Sequence, residues 1–377
     1  MITLTTAGES HGKGLFAIIE GVPQGLKIDL AQINQALSRR QSGYGRGARQ
    51  KIECDQVEIL SGVRNLTTLG SPVTLAVWNR DYENWKEVMA PEGCDLAKRK
   101  VENVRPGHAD LAGMQKFALT DAREVLERAS ARETAVRVAA GELFRQLLAA
   151  LNIEVTGFVR SVGTSADNAL YTFDEIQRGR SGELAMLDKT IEAQAMKEID
   201  SAKAEGDTLV GFIELRVKGL KSGFGSPMTY REKLDARLAS ALMSVQAIKG
   251  VEVGGGFALA TYKGSQAHDE IYFEKGAFTR GSNRAGGVEG GMSNGEELIL
   301  RVAMKPIPTL MKGLNTVNYN TKEQAKAAAE RSDVCAVPAC EVVCESAILC
   351  ELAKIVCERL GGDTLVQLQK RYKDIEA

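Results

Sequence analysis

The clearest order in this chain is the spacing of its apolar residues. From 133 to 151, Val136, Ala140, Leu143, Leu147 and Leu151 recur at three- to four-residue intervals, which predicts a helix with one apolar stripe. The stretch 231–249 repeats that period through Leu234, Leu238, Leu242, Val245 and Ile248, and a third helix is expected from about Ala339 to Leu360. Asp29 stands where an N-cap would open a helix through Ile33, Leu37 and Arg40. Elsewhere the period drops to two. Ile213, Leu215 and Val217 alternate with Glu214, Arg216 and Lys218, as in a strand with one wet face. Leu298, Leu300 and Val302 alternate with Ile299, Arg301 and Ala303, a weaker contrast that suits a more buried strand.

Both periods are mixed along the chain, with no Pro/Ser-rich linker, short repeat or low-complexity tract. That pattern predicts a single large α+β domain over 1–377, with antiparallel sheets packed on helices. A polar stretch from about 165 to 207 is expected as a charged surface insertion, with an amphipathic helix from Asp188 to Glu205.

Composition narrows the function. The 377 residues carry 48 basic and 49 acidic side chains, so no basic excess marks a nucleic-acid binder. No signal peptide opens the chain and no apolar run approaches the ~20 residues of a membrane span, so a soluble cytoplasmic protein is expected. The seven cysteines are odd in number and form no Cys-x-x-Cys pair, which argues against a disulfide framework and a zinc site. Cys340 and Cys344, one helical turn apart, are expected as small buried hydrophobes.

Histidine is scarce, and its placement is informative. Of His11, His108 and His268, the first two lie in the runs Gly8-Glu9-Ser10-His11-Gly12 and Arg105-Pro106-Gly107-His108-Ala109-Asp110. Imidazole is the side chain best suited to proton transfer near neutrality, so these loops are acid/base candidates. His268 is expected to be structural or on the surface. Glycines gather at Gly43–Gly47, Gly223–Gly225, Gly254–Gly256 and Gly286–Gly295, and none fits a P-loop or a dinucleotide fingerprint. Such loops can still cradle phosphate through backbone N–H groups, and the long Gly286–Gly295 run exceeds what a turn needs. Arg39, Arg40, Arg46 and Arg49 surround the first loop; Arg105 precedes His108; Arg128, Arg132 and Arg137 surround Ser130. Arginine forks grip carboxylate and phosphate, so an anion pocket is expected; surface ion pairs are the plainer alternative.

Seven runs occur together: 7–12 (Ala-Gly-Glu-Ser-His-Gly), 40–47 (Arg-Gln-Ser-Gly-Tyr-Gly-Arg-Gly), 105–110, 130–134 (Ser-Ala-Arg-Glu-Thr), 290–295 (Gly-Gly-Met-Ser-Asn-Gly), 305–309 (Lys-Pro-Ile-Pro-Thr) and 331–333 (Arg-Ser-Asp). In this order they resemble chorismate synthases over essentially the whole chain. The resemblance implies a β-α-β sandwich around a helical core. It also implies an FMN-dependent lyase that converts 5-enolpyruvylshikimate 3-phosphate to chorismate and phosphate by 1,4-elimination, without net redox change. By the same resemblance, His11 protonates the departing phosphate, His108 lies near the flavin pyrimidine edge and Asp333 lies near flavin N5. Arg40, Arg46, Arg105 and Arg132 look like substrate-binding arginines. Arg128, Ala129, Ser130, Gln246, Ala247, Gly290, Lys305, Pro306, Ile307, Pro308, Thr309 and Arg331 look like the FMN cradle. A homotetramer is implied, with NADPH as reductant directly or through an external flavin reductase. No metal, nucleic acid or membrane partner is expected.

Three positions depart from common family forms: Ala129 replaces a frequent serine, Gln246 a frequent asparagine, and the run after Asp333 lacks an arginine found in many members. Two other classes share parts of the pattern. A non-catalytic binding protein for phosphorylated metabolites would use the same arginines without histidine chemistry. An RNA-binding protein would use Arg39, Arg40, Arg46 and Arg49, but the balanced charge and 5% aromatic content disfavour it.

Overall fold

The computed structural model describes residues 1–47, 54–327 and 333–375. Strands β1 (Thr3–Ala7), β2 (Gly14–Glu20), β3 (Val57–Ser61) and β4 (Val73–Trp78) form an antiparallel sheet in the order β1-β2-β4-β3. A second antiparallel sheet comprises β5 (Glu154–Val162), β6 (Ser165–Ala166), β7 (Gly211–Lys218), β8 (Ile248–Val253) and β9 (Leu298–Met304), in the order β8-β9-β7-β5-β6. The principal helices are α1 (Leu30–Gln41), α2 (Asp110–Phe117), α3 (Arg123–Ala129), α4 (Thr134–Ala149), α5 (Lys189–Ala204), α6 (Leu234–Met243) and α7 (Val337–Leu360). Helix α4 packs on β2 and β4 of the first sheet, α7 packs on β5 and β7 of the second, and α4 and α7 pack on each other. The expected β-α-β sandwich is thus observed, with helices as its middle layer.

Local signals explain the helix boundaries. The Asp29 carboxylate accepts from Ala31 N–H at 2.8 Å and Gln32 N–H at 3.3 Å, capping α1 as its sequence predicts. Pro338 lies in the first turn of α7, where a missing N–H costs nothing. Helix α4 can approach α7 because residue 141 is glycine: a Cβ there would lie 2.5 Å from Ser346 Cβ. Helix α7 is buried from Val337 to Cys350, including two charged side chains, Glu341 and Glu345. Arg39 reaches Glu341 at 3.0 Å and Glu345 at 3.3 Å, Arg145 reaches Glu345 at 2.8 Å, and Arg180 bonds both. Buried carboxylates persist only with such partners.

Two expectations need correction. The helix expected over 231–249 ends at Met243. Ser244 Oγ donates to the Ala241 carbonyl at 2.6 Å, Ala247 takes a φ of +73°, and the chain turns into β8 at Ile248. Val245 and Ile248 remain buried, so their apolar spacing reflected burial rather than helix. In β7 only Lys218 of the three polar residues is exposed; Glu214 and Arg216 are buried. Glu214 accepts from Arg160 at 3.0 Å, Arg216 at 2.7 Å and Arg301 at 2.8 Å, an ion cluster that replaces solvent.

Candidate active site

A cavity of about 420 Å³ opens where the loops before α2 and α4, the turn after α6, the exit of β9 and the start of α7 converge. Its lining includes the apolar Val245, Met304, Ala336, Ala339, Cys340 and Val343 and the cationic Arg40, Arg46, Arg105, Arg132 and Lys305. Ala129, Ser130, Gln246, Ala247, Ile307, Pro308, Thr309, His108 and Asp333 complete it. The four arginines and most of the cofactor set named from the sequence therefore meet around one space, although Arg40 and Thr309 stand 269 residues apart.

The loop 105–110 is knotted by its own charges. Arg105 donates to the Asp110 carboxylate from Nε at 2.8 Å and from Nη2 at 3.0 Å, and its backbone N–H donates to the same group at 3.0 Å. His108 Nδ1 bonds Asp110 Oδ1, and Arg105 Nη2 lies 3.1 Å from that nitrogen. Burial opposes ionisation of Asp110, but the bonds from His108 and Arg105 outweigh it and hold the carboxyl well below the usual range. Arg105 Nη1 also reaches Thr309 Oγ1 at 3.5 Å, and Lys305 Nζ donates to the Gly107 carbonyl, so the strand exit and the histidine loop brace each other. Burial, with Lys249 nearby, lowers the Lys305 pKa.

Asp333 accepts from Gly47 N–H at 2.6 Å and lies 3.4 Å from Arg46 Nη1. The Gly43–Gly47 loop is pressed into place from outside: a Cβ at Gly45 would meet Ile199 and Cys335 at 3.0–3.1 Å, and Tyr44 Oη donates to Asp200 at 2.9 Å. Helix α5, within the charged stretch 165–207, thus buttresses this loop.

Deeper in the wall, the Asp55 carboxylate joins Arg40 Nη2 at 2.9 Å and Arg132 Nη1 at 2.7 Å. Burial pushes the Arg40 guanidinium down to about 10, against the pull of Asp55, with Arg132 and Arg46 adding to the depression. Arg40 and Arg132 are interior groups rather than surface ion-pair partners. Arg39, expected beside them, faces the α7 carboxylates instead.

Three buried polar atoms facing this region lack hydrogen-bond partners: Arg40 Nε, Arg46 Nε and Gln246 Oε1. Gln246 Nε2 is engaged by Glu133 Oε2 at 3.3 Å, which leaves its oxygen available to a ligand donor. Unsatisfied buried groups are rare in proteins and concentrate where a ligand completes them.

Several sequence-named residues lie off the cavity wall. His11 packs behind it: its ring stacks on Trp85 with centroids 3.7 Å apart, and Nδ1 lies 3.0 Å from Glu127. Arg128 donates to the Gly8 and Thr6 carbonyls at 3.0 Å, tying α3 to β1. Pro306 is exposed. Gly290 belongs to a small hairpin (Val288–Glu289 with Met292–Ser293) whose Gly291 carbonyl accepts from Leu234 N–H. That is the N-terminal end of α6, whereas Gln246 follows its C-terminal end, roughly 15 Å away for a ten-residue helix. The long glycine run therefore makes a tight hairpin and does not line the cavity. Arg331 and Arg49 lie outside the described residues. His268 lines a separate shallow surface depression with Tyr262, Glu270 and Arg284.

Sequence reasoning missed Asp55, Asn79, Trp85 and Glu127, and gave no role to Asp110. Asp110 could have been found, because its two- and five-residue offsets from His108 and Arg105 keep all three in one loop. Asp55 and Glu127 show no local sign of these roles: Arg132 and His11 stand 77 and 116 residues away, and the nearer Arg40 and Arg123 do not point to them.

A family model for chorismate synthase matches residues 2–357. A chorismate synthase of Alkaliphilus metalliredigens is 51% identical over 375 residues, covering 99% of each chain. One of Desulforamulus reducens is 52% identical over 377 residues, covering 98% of this chain and 97% of its own. A solved crystal structure of chorismate synthase superposes with a TM-score of 0.79 at 36% identity, covering 99% of this chain and 96% of the other. The ordered motifs, the sandwich and the cation-rimmed cavity agree with these matches, and the chain belongs to the chorismate synthase family.

Proposed function

We propose that this chain is the lyase that converts 5-enolpyruvylshikimate 3-phosphate to chorismate and phosphate by 1,4-elimination, with reduced FMN. The observation that carries the reading is the cavity itself, whose lining combines apolar side chains with four arginines and a lysine. A substrate with one phosphate and two carboxylates requires those cations. A flat, phosphate-bearing cofactor fits the same space: the apolar lining residues suit a ring system, and the unpartnered Gln246 oxygen offers an acceptor. Ala129, Ser130, Gln246, Ala247 and the run Lys305–Thr309 would hold it, with Arg128, Gly290 and Arg331 proposed from family likeness alone. Reduced FMN, when bound, supplies an electron transiently and takes it back.

The chain's own residues do the rest. Arg40, Arg46, Arg105 and Arg132 bind and orient the anionic substrate. His108, fixed by Asp110, holds a proton at the cavity wall, and Asp333 accepts the ring proton. His11 supplies the proton that stabilises the departing phosphate. Its ring stacks on Trp85, and its Nδ1 is held by Glu127, which fixes the imidazole for that role.

Family likeness also supports a homotetramer, a cytoplasmic location, and an external flavin reductase or NADPH as the reductant source. No helix among the described residues is long and apolar enough to cross a membrane.

The test is an anaerobic assay with chemically reduced FMN that follows phosphate and the flavin spectrum together. Phosphate release with flavin still reduced at the end is expected. Flavin binding without phosphate release would overturn the reading.

A further inference from the structure

A buried carboxylate outside the cavity lining bonds two of the lining arginines. Asp55 has a fully buried side chain. Both of its oxygens lie 2.7 Å from Arg132 Nη1, and Oδ2 also accepts from Arg40 Nη2 at 2.9 Å. The carboxylate is itself fixed, because Asp55 N–H donates to Gln41 Oε1 at 2.9 Å. Arg132 has a second anchor: Nε donates to Asn79 Oδ1 at 2.9 Å, and Asn79 Nδ2 donates to the Gly12 carbonyl at 2.7 Å and the Glu9 carbonyl at 3.1 Å. Both guanidiniums line the cavity.

We propose that Asp55 is a positioning residue for substrate: its one carboxylate, shared by Arg40 and Arg132, aims both guanidiniums at the phosphate or carboxylates of the bound molecule. The inference rests on the proposed lyase reading. Its physical basis is charge and geometry. Two adjacent buried guanidiniums repel each other and lose hydration, so without an anion between them they would separate or turn away. One carboxylate between two cations leaves an excess positive charge at the wall, the sign an anionic substrate needs. Planar forks hold direction only when some of their donors are pinned, and Asp55 pins one donor on each. Arg40 Nε has no partner, so that guanidinium is not consumed by the protein. The chain Asp55–Arg132–Asn79 also runs to the backbone of the His11 loop, so aiming the arginines and placing that loop are linked.

The experiment compares Asp55→Asn and Asp55→Glu with the wild-type holoenzyme under anaerobic conditions with reduced FMN. Asp55→Asn keeps the shape and loses the charge. Its KM for 5-enolpyruvylshikimate 3-phosphate is expected to rise about tenfold or more, with kcat changed less. The FMN dissociation constant should stay within about twofold, and Asp55→Glu should recover much of the KM. A purely structural role would lower the melting temperature and the active fraction without moving KM. An unchanged KM in folded Asp55→Asn, or equal losses for FMN and substrate, overturns the inference. If Asp55→Asn does not fold, Asn79→Ala releases the second anchor of Arg132 together with the bonds to the Glu9 and Gly12 carbonyls; a raised KM with FMN affinity unchanged supports the proposal and an unchanged KM overturns it. A wild-type protein that releases no phosphate overturns the lyase reading and this inference together, whereas wild-type turnover with unaltered variant KM overturns the inference alone.

Discussion

His11 presents Nδ1 to Glu127 at 3.0 Å from both carboxylate oxygens, and the His11 backbone N–H donates to the same carboxylate at 2.9 Å. A carboxylate at Nδ1 keeps the proton on that nitrogen and leaves Nε2 as the exchanging atom. Arg123 Nη1 holds Glu127 in turn at 2.8 Å. Burial opposes the charge on Glu127, but the bonds from His11, with Arg123 behind them, outweigh it and keep the carboxyl below its usual range.

Glu127→Gln should therefore cost activity without emptying the flavin site. A fall in kcat of about 10- to 100-fold is expected, with FMN affinity unchanged. Because both residues act through one proton, His11→Ala combined with Glu127→Gln should be little worse than His11→Ala alone. Anaerobic phosphate release measures both. Full activity in Glu127→Gln would remove Glu127 from the mechanism.

Asp110 makes a prediction about acid. Its carboxyl is depressed in the folded state, so its contribution to stability is present above the unfolded value of about 3.9 and is lost as pH falls below it. Asp110→Asn should be less stable than wild type at pH 7, and the gap should narrow on acidification through that value. Urea unfolding at neutral and acid pH reads the gap; a gap of constant size contradicts the assignment. The variant should also lose turnover, since Arg105 and His108 both lean on this carboxylate.

Gly141 tests the middle layer. An added methyl would lie 2.5 Å from Ser346 Cβ and 2.7 Å from its Cα, so α4 and α7 must separate to admit it. Gly141→Ala should destabilise the fold by about 1–3 kcal/mol, and Ser346→Gly in the same chain should recover part of that loss. Chemical denaturation decides; an equally stable Gly141→Ala would mean that the helices can shift freely.

Much of this was legible in the sequence. The stripes of α4, α6 and α7 were visible because burial on one helical face imposes a 3.6-residue period. The seven loop motifs were visible because chemistry and tight turns restrict residue type locally, and they sufficed for the family. The error at 244–249 shows the limit: Val245 and Ile248 kept the helical spacing after the helix had stopped, because burial alone sets that pattern.

The sequence by itself determined the elements, the family and the group of side chains with which the site could be built. Only the tertiary structure decided which of them meet. Arg39 and Arg40 are chain neighbours, yet a helix turns about 100° per residue, so one enters the Glu341–Glu345 cluster and the other enters the cavity. Gly290 stands in a hairpin at the end of α6 remote from Gln246. Asp55 and Glu127 looked ordinary and hold the two arginines and His11. Local order is written in spacing, but pairs such as Asp55–Arg132 and His11–Glu127 are set by side-chain direction and by contacts across 77 and 116 residues, which no short window of sequence contains.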